Sequence, residues 1–287
     1  MRIANYRGRA VLLTGEDSAI DIAEASNGEF GPRLSDVFEN WSAFQQWAAS
    51  GTPQGTVVSI DRSQLGSPSP TPKQVIAVGL NYAKHAAESG FEVPDLLPPT
   101  FTKFVSSITG PDTVVALPQG GNTDWEVELV LIIGAEGHGI REEDAWSYVA
   151  GVTVGQDLSE RVSQLQGPAP QFSLGKSFPG FTPLGPWLVT VDELPNRDDL
   201  EIGCSINGDV VQKGRTSELI FPVAALISRL SQTVTLYPGD VIFTGTPAGV
   251  GVGRDPQRFL KPGEILTSWI EGVGHIEQRF IEAGGAE

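Results

Sequence analysis

Cysteine and basic residues are scarce in this chain. The first shortage excludes an intrachain disulfide, and the second argues against anionic partners. Cys204 is the one cysteine, so no intrachain disulfide can form and a reducing compartment, the cytoplasm, is the expected location. The 19 lysines and arginines are outnumbered by 35 aspartates and glutamates, which gives a formal net charge of −16. Because such a surface repels phosphate, we expect neither a nucleic acid nor an anionic membrane as a partner.

Long apolar runs are missing as well. Residues 129–133 and 220–227 are apolar, but both segments are far shorter than the ~18 residues of a membrane span. Residues 11–13 are too short for a signal peptide. The glycines of residues 245–251 follow a predicted strand, yet the lysine and the Ser/Thr of a nucleotide-binding loop are absent. The sequence therefore predicts a soluble protein with only a weak phosphate-binding signal.

Glycine and proline, in contrast, are plentiful, at 34 and 21 of the 287 residues. Frequent turns between short elements are typical of this composition, which excludes a long helical bundle. Strands are predicted at residues 75–78, 125–134, 152–155, 187–191, 201–207 and 241–245. Helices are predicted at residues 81–89, 142–149 and 222–231. The pattern predicts a β-rich α+β fold.

The first 70 residues are interpreted as a small α+β module. Two short strands are predicted at residues 10–13 and 19–22, and a helix follows, because apolar residues from Leu34 to Ala48 recur at helical spacing. The aromatic stripe of this helix indicates packing. The Ser-Pro repeat at residues 67–72 favours extended backbone and is interpreted as a linker. We therefore expect an N-terminal module at 1–70 and a catalytic domain at 71–287.

Two glutamates in an otherwise apolar strand are the most informative feature. Side chains alternate along a strand, so Glu126 and Glu128 point to the same face. Two such carboxylates entering a core must be protonated or bridged by a cation, and Mg²⁺ or Mn²⁺ suits oxygen ligands. Asp157, after the next predicted strand, offers a third ligand, although an aspartate there is usually a turn residue. The alternative is an edge strand whose polar end meets water.

Histidine is limited to three positions. His85 precedes Glu88 by three residues in the predicted helix 81–89, so the two side chains share a face and could form a general-base pair. A surface ion pair is the alternative. Lys176 lies among small and apolar residues, where its charge could offset an oxyanion, or it is a solvated loop lysine. His138 and His275 are predicted in turns.

Seven short segments, in this order along the chain, resemble motifs of the fumarylacetoacetate hydrolase family. They are residues 78–85, 126–129, 157–161, 175–178, 207–208, 238–242 and 245–251. Each is modest alone, but the ordered set is specific, and the resemblance extends from residue 75 to residue 280. It implies a mixed β-sandwich roll of the fumarylacetoacetase C-terminal type, with a divalent cation at its mouth and a homodimer as the assembly.

The resemblance also implies roles for individual residues. Glu126, Glu128 and Asp157 look like the family's metal ligands, for Mg²⁺ or alternatively Mn²⁺ or Ca²⁺. His85 with Glu88 looks like the pair that activates water, on a short helix that orders over the substrate.

Other positions look like substrate contacts. Lys176 looks like the family's pocket lysine, and Gln164 and Thr246 look like contacts to the 2-oxo-carboxylate end of the substrate. Lys103 occupies another position near the pocket. Many members of the family have aspartate after the Lys-Ser-Phe run, whereas Pro179 and Gly180 follow here, so the substrate preference stays open.

The function that the resemblance implies is metal-dependent hydrolysis of a C–C bond in a small 1,3-dicarbonyl acid, an acylpyruvate or fumarylpyruvate type, as in aromatic catabolism. The alternative is an isomerase, hydratase or decarboxylase of a 2-oxo acid that uses the same enolate. A non-catalytic binding protein is a third hypothesis, but it would not need His85, Glu88 and Lys176 together.

Overall fold

A computed structural model describes residues 1–51, 53, 55–88, 90 and 98–284 of the chain, and strands dominate its regular structure. The strands are β1 (Arg2–Tyr6), β2 (Arg9–Leu13), β3 (Ser18–Asp21), β4 (Val57–Ser59), β5 (Leu65–Gly66), β6 (Val75–Val78), β7 (Thr100–Thr102), β8 (Ile108–Thr109), β9 (Asp112–Leu117), β10 (Thr123–Asp124), β11 (Val127–Ile133), β12 (Val149–Gln156), β13 (Ser159–Glu160), β14 (Thr182–Val189), β15 (Glu201–Ile206), β16 (Asp209–Arg215), β17 (Val241–Phe243), β18 (Ile265–Ile270) and β19 (Gly274–Glu282). The α-helices are α1 (Ile22–Ala25), α2 (Leu34–Glu39), α3 (Trp41–Ala49), α4 (Ala83–Glu88), α5 (Arg161–Gln164), α6 (Phe172–Gly175) and α7 (Val223–Ser231). Short 3₁₀ helices occupy Arg62–Gln64, Val105–Ser107, Glu142–Tyr148, Val191–Glu193 and Thr216–Glu218.

The large mixed sheet places β11 at its centre. The strands follow the order β4-β3-β2-β1-β14-β12-β11-β17-β6-β7, with β11 antiparallel to both of its neighbours. All seven residues of β11 are buried, as expected for a Val/Leu/Ile-rich central strand. The alternative of an exposed edge strand at Glu126 and Glu128 is therefore wrong.

A second, five-stranded sheet packs against the large one and completes a sandwich. Its order is β16-β15-β18-β19-β9, and β18 and β19 contact β12 across the interface. The core between the sheets includes Trp125, Leu129, Cys204 and Ile276, all fully buried. The β-rich α+β class predicted from the sequence, and the mixed roll that the resemblance implied, are confirmed.

The N-terminal segment joins the same large sheet. β1 pairs antiparallel with β14, with Ile3 opposite Leu188. Beside it, the rings of Phe30, Phe44 and Trp47 lie 5.5–5.7 Å apart, which confirms that the aromatic stripe serves packing. One helix was predicted here, but the structure has two, α2 and α3, because the helical backbone is interrupted at Asn40. The division into units at residue 70 stays a prediction.

Several predicted elements differ from the observed ones. Residues 142–148 form a 3₁₀ helix, and β14 begins at Thr182 rather than at residue 187. His275 lies in β19 and not in a turn, whereas His138 lies in a bend, as predicted. The predicted helix 81–89 is shorter, and its last residue, Ser89, lies outside the described residues. The predicted linker packs against the sandwich, since Oγ of Ser69 donates to the carbonyl of Gly239 at 2.6 Å.

Among the helices that the structure describes, none has both the length and the apolar character needed to cross a bilayer.

Candidate metal centre and active site

Three buried carboxylates meet where two central strands of the large sheet end. Glu126 directly precedes β11, Glu128 is its second residue, and Asp157 directly follows β12. One oxygen from each lies within 4.8 Å of the others. The backbone N–H of Asp157 donates to the carbonyl of Glu126 at 2.9 Å, so the ends of the two strands are held side by side. Glu126 and Glu128 are two residues apart and lie in the same cluster, as the alternation of side chains along a strand predicts.

Two lysines partly neutralise this cluster. Nζ of Lys176 donates to Glu126 and to Asp157, both at 2.6 Å, and Nζ of Lys103 donates to the other oxygen of Asp157 at 2.5 Å. Burial alone would lower the pKa of Lys176, but the charges of Asp157 and Glu126 outweigh it and the pKa is raised. For Lys103, burial prevails over the attraction of Asp157 and the pKa is lowered. Lys176 is thus not a solvated loop lysine.

Glu128 is the carboxylate that these cations leave uncompensated. Among the described residues, its carboxylate accepts one hydrogen bond, from the backbone N–H of Gly245 at 2.6 Å. Burial, together with the negative charges of Asp157 and Glu126, raises the pKa of Glu128 well above its usual range. A divalent cation would supply the missing positive charge, and three carboxylates form the oxygen donor set of Mg²⁺, Mn²⁺ or Ca²⁺. The residues therefore fit a resident divalent cation.

Helix α4 carries the His85 and Glu88 pair. Nδ1 of His85 lies 2.9 Å from Oε1 of Glu88, and the exposed fractions of the two side chains are only 7% and 19%. This is a partly buried pair and not the surface ion pair considered as an alternative. Among the described residues, Nε2 of His85 has no hydrogen-bond partner, so this nitrogen is the one that can meet a ligand.

Arg161 is a site residue that the sequence reasoning did not single out. Its guanidinium donates to Asp124 through Nε and Nη2 at 2.9 and 2.7 Å. Nη2 also donates to Glu126 at 2.7 Å, and Nη1 to the side-chain oxygen of Gln164 at 2.9 Å. The sequence did contain a signal for Arg161, because this residue lies four positions after Asp157, in the segment 157–161 that carries the family resemblance. Arg161 fixes the orientation of one proposed metal ligand and one proposed substrate contact.

The glycine-rich segment 245–252 binds carboxylates of the protein itself. The N–H groups of Gly245, Gly249 and Gly251 donate to Glu128, Glu88 and Asp124, respectively, at 2.6–3.1 Å. Gly245 and Gly249 have φ of +107° and +111°, a region that other residues rarely adopt. The weak phosphate-loop signal thus has another explanation, because these donors organise the acidic side chains of the site.

A cavity of about 330 Å³ contains five of the nine predicted site residues in its walls: His85, Glu88, Glu126, Gln164 and Lys176. Lys103, Glu128 and Asp157 are buried beside them. The hydroxyl of Thr246 donates to the carbonyl of Val127 at 2.9 Å and accepts from Nε2 of Gln212 at 2.8 Å. Substrate contacts by Lys103, Gln164 and Thr246 stay predictions.

A larger groove, of about 840 Å³, is lined by Trp146, Thr190 and Arg197 among others. It contains none of the nine predicted residues, and no cluster of potential metal ligands within the described ranges lies there. The smaller cavity is therefore the candidate active site.

Several known proteins are similar to this chain in sequence and in structure. A Homo sapiens protein named oxaloacetate tautomerase FAHD2A, mitochondrial, is 47% identical over 216 residues, which are 75% of this chain and 68% of the relative. A solved structure described as a candidate HpcE protein from Mycobacterium smegmatis is 57% identical, with a TM-score of 0.91 over 99% of this chain and 100% of that one. Maleylpyruvate hydrolase from Sphingobium sp. SYK-6, solved with manganese(II) and pyruvate, is 26% identical, with a TM-score of 0.80 over 99% and 100% of the two chains.

The family model described as fumarylacetoacetate (FAA) hydrolase C-terminal matches residues 74–281. This range contains the three carboxylates, the His85 and Glu88 pair and the glycine-rich segment. The chain belongs to the fumarylacetoacetate hydrolase family.

Proposed function

We propose that this protein is a divalent-metal-dependent enzyme that hydrolyses a C–C bond in a 1,3-dicarbonyl acid of the acylpyruvate or fumarylpyruvate type. The observation that carries the proposal is that one cavity is lined by the His85 and Glu88 pair and by Glu126, which belongs to the buried cluster of three carboxylates. Glu126, Glu128 and Asp157 would hold Mg²⁺, or alternatively Mn²⁺ or Ca²⁺. When bound, the cation supplies a Lewis acid that stabilises negative charge on the oxygens of a 2-oxo acid.

In this proposal His85 moves the protons. Its Nε2 takes a proton from water, and Glu88, hydrogen-bonded to Nδ1, stabilises the imidazolium that forms. The hydroxide attacks the carbonyl farther from the substrate carboxylate, and Lys176 offers an N–H to the developing oxyanion. The C–C bond then breaks, its electron pair forms the enolate of the 2-oxo acid, and the imidazolium returns the proton to carbon. The products are a carboxylic acid and a 2-oxo acid.

Keto–enol tautomerisation is the second candidate. The curated relatives named oxaloacetate tautomerases favour it, because they share 43–47% of their residues with this chain over the matched regions. In this reaction His85 would move a proton between carbon and oxygen of the substrate, and no water would be consumed. Both candidates use the same enolate and the same pair of side chains.

Product analysis separates the two reactions. A 2,4-dioxo acid and oxaloacetate are incubated with the protein and Mn²⁺, and the products are followed by proton NMR in parallel with the enol absorbance. Cleavage to a carboxylic acid and a 2-oxo acid, lost with EDTA and in His85→Ala, supports hydrolysis. Faster keto–enol exchange of oxaloacetate without cleavage supports the tautomerase. Cleavage that survives His85→Ala would contradict the assignment of His85.

The assembly and location belong to the same proposal. A homodimer is proposed from the family resemblance, and sedimentation analysis would measure it. The cytoplasmic location stays a prediction, and the first curated relatives carry the word mitochondrial in their names.

A further inference from the structure

We infer that the substrate has an uncharged, apolar tail beyond its reacting carbonyl groups, and not a second carboxylate. The inference rests on the proposed function, because it takes the 2-oxo acid end of the substrate to lie at the acidic cluster. It goes further by selecting one substrate class from among monocarboxylic and dicarboxylic acids.

The walls of the 330 Å³ cavity are largely apolar away from its charged groups. Leu80, Phe101, Leu165, Phe172 and Val252 line it. The rings of Phe101 and Phe172 meet edge to face, with centroids 5.6 Å apart. Leu165 is 58% exposed although it lines the cavity, which places it at the rim. These side chains offer van der Waals contact to an alkyl or aryl group and no hydrogen bonds.

Arg161 and Lys176, the arginine and the lysine among the described lining residues, already contact protein carboxylates, and His85 is held by Glu88. Arg161 donates through Nε, Nη1 and Nη2 to Asp124, Gln164 and Glu126. Lys176 is held by Glu126 and Asp157, and His85 by Glu88. Among the described residues of the lining, Gln257 is the remaining polar side chain, and it is neutral. Residues 89–97 of the sequence contain no lysine, arginine or histidine, so they add no cation.

A second carboxylate would therefore meet, among the described lining residues, no lysine or arginine that is not already in contact with a protein carboxylate. It would lose hydration without gaining an ion pair in return. An alkyl group of the same size has no charge to desolvate, and it gains apolar contact with Phe101 and Phe172. The chain would thus differ in preference from its relatives named for oxaloacetate, which is a diacid.

Two acids that differ at one end test the inference. 2,4-Dioxoheptanoate ends in a methyl group, and 2,4-dioxoheptanedioate ends in a carboxylate at the same position. With Mn²⁺ present, we expect kcat/KM to be about tenfold or more higher for the methyl-ended acid, since a buried charge without a partner is strongly rejected. Equal values, or a preference for the diacid, would overturn the inference and leave the proposed function standing.

Binding separates failure of the inference from failure of the proposed function. If neither acid is turned over, the proposed hydrolysis fails, and calorimetric titration of each acid into the Mn²⁺-loaded protein decides the inference alone. Tighter binding of the methyl-ended acid supports it. Equal binding, tighter binding of the diacid, or no binding of either acid overturns it.

Two variants test whether the cavity rim at Leu165 contributes to this substrate preference. Leu165→Arg places a cation at the cavity rim, whereas Val162→Arg places the same charge on helix α5, at a residue that is 49% exposed and does not line the cavity. We expect Leu165→Arg to lower the preference for the methyl-ended acid by about tenfold, since the added cation can pair with the terminal carboxylate. Val162→Arg should leave the ratio unchanged. An unchanged ratio in Leu165→Arg, or equal changes in both variants, would overturn the inference.

Discussion

Oε1 of Glu88, the last residue of helix α4, lies 2.9 Å from Nδ1 of His85. The same carboxylate accepts the backbone N–H of Gly249 at 2.9 and 3.1 Å through its two oxygens. Glu88 therefore ties the histidine to the glycine-rich segment that also binds Glu128. One loop thus holds both the proposed proton-transfer pair and a proposed metal ligand.

Replacement of Glu88 tests the proton-transfer role. In Glu88→Gln the side-chain carbonyl can still accept from Gly249, but the negative charge that stabilises the imidazolium is lost. We expect kcat to fall about 10²-fold, within the range of general acid–base contributions, while KM changes little. Steady-state kinetics at several pH values would measure the effect.

The control for this variant is an exposed ion pair that the same helix makes with another segment. Glu218 pairs with Lys84 of α4 at 3.1 Å, in an exposed ion pair. Glu218→Gln should leave kcat unchanged. Equal losses in the two variants, or no loss in Glu88→Gln, would contradict the role of the pair.

Glu128 should be needed for the metal and dispensable for the apo fold. Its pKa is raised by burial and by neighbouring carboxylates, so the neutral side chain of Glu128→Gln removes an unfavourable buried charge. We expect the free energy of unfolding of the metal-free protein to be unchanged or higher. Affinity for Mn²⁺, measured by titration calorimetry, should fall at least about tenfold, because one of three charged ligands is lost.

Glu143, whose side chain is 71% exposed, provides the matched control as Glu143→Gln, and this variant should bind Mn²⁺ normally. Undiminished Mn²⁺ affinity in Glu128→Gln would remove Glu128 from the metal site.

Arg161 should be important for stability. In Arg161→Ala the buried carboxylates of Asp124 and Glu126 lose their guanidinium partner. We expect the free energy of unfolding to fall by about 3–5 kcal/mol, the usual cost of breaking a buried ion pair on one side. Arg141→Ala removes an arginine that is 70% exposed and pairs with Glu143 and Asp144, and should cost about 0–1 kcal/mol. Urea unfolding of both variants checks this, and similar losses would contradict it.

Cys204 should be chemically silent in the folded protein. Burial raises the pKa of its thiol, and thiolate is the form that reacts with disulfide reagents. A chromogenic disulfide reagent at pH 8 should therefore label Cys204 only after unfolding in denaturant. Stoichiometric labelling of the native protein within minutes would show that the core around β15 opens readily.

The sequence predicted the elements whose pattern is local. The alternation in β11 revealed which face carries Glu126 and Glu128, and proline at residue 222 marked the start of α7 within one residue. Strands β9, β16, β18 and β19 were not predicted, because they mix polar and apolar residues and are held by pairing with β15 or with one another. Local propensity carries little information about such pairing.

The site was predicted where a residue belongs to an ordered motif, and missed where its role depends on distant partners. His85 and Glu88 are three residues apart on one helix. The contacts of Arg161 to Asp124 span 37 residues, and the contact of Gly249 to Glu88 spans 161 residues. No spacing rule along the chain reveals such pairs, because only the sandwich brings the segments together.

The metal dependence of the proposed reaction can be measured by titrating the activity with Mn²⁺. The protein is stripped with EDTA, dialysed, and assayed for loss of the enol absorbance of 2,4-dioxoheptanoate while Mn²⁺ is added stepwise. We predict that the stripped protein is inactive and that activity rises to a plateau at one Mn²⁺ per chain, with no recovery in Glu128→Gln. Full activity of the stripped protein, with elemental analysis confirming that it holds no metal, would contradict the proposed metal dependence.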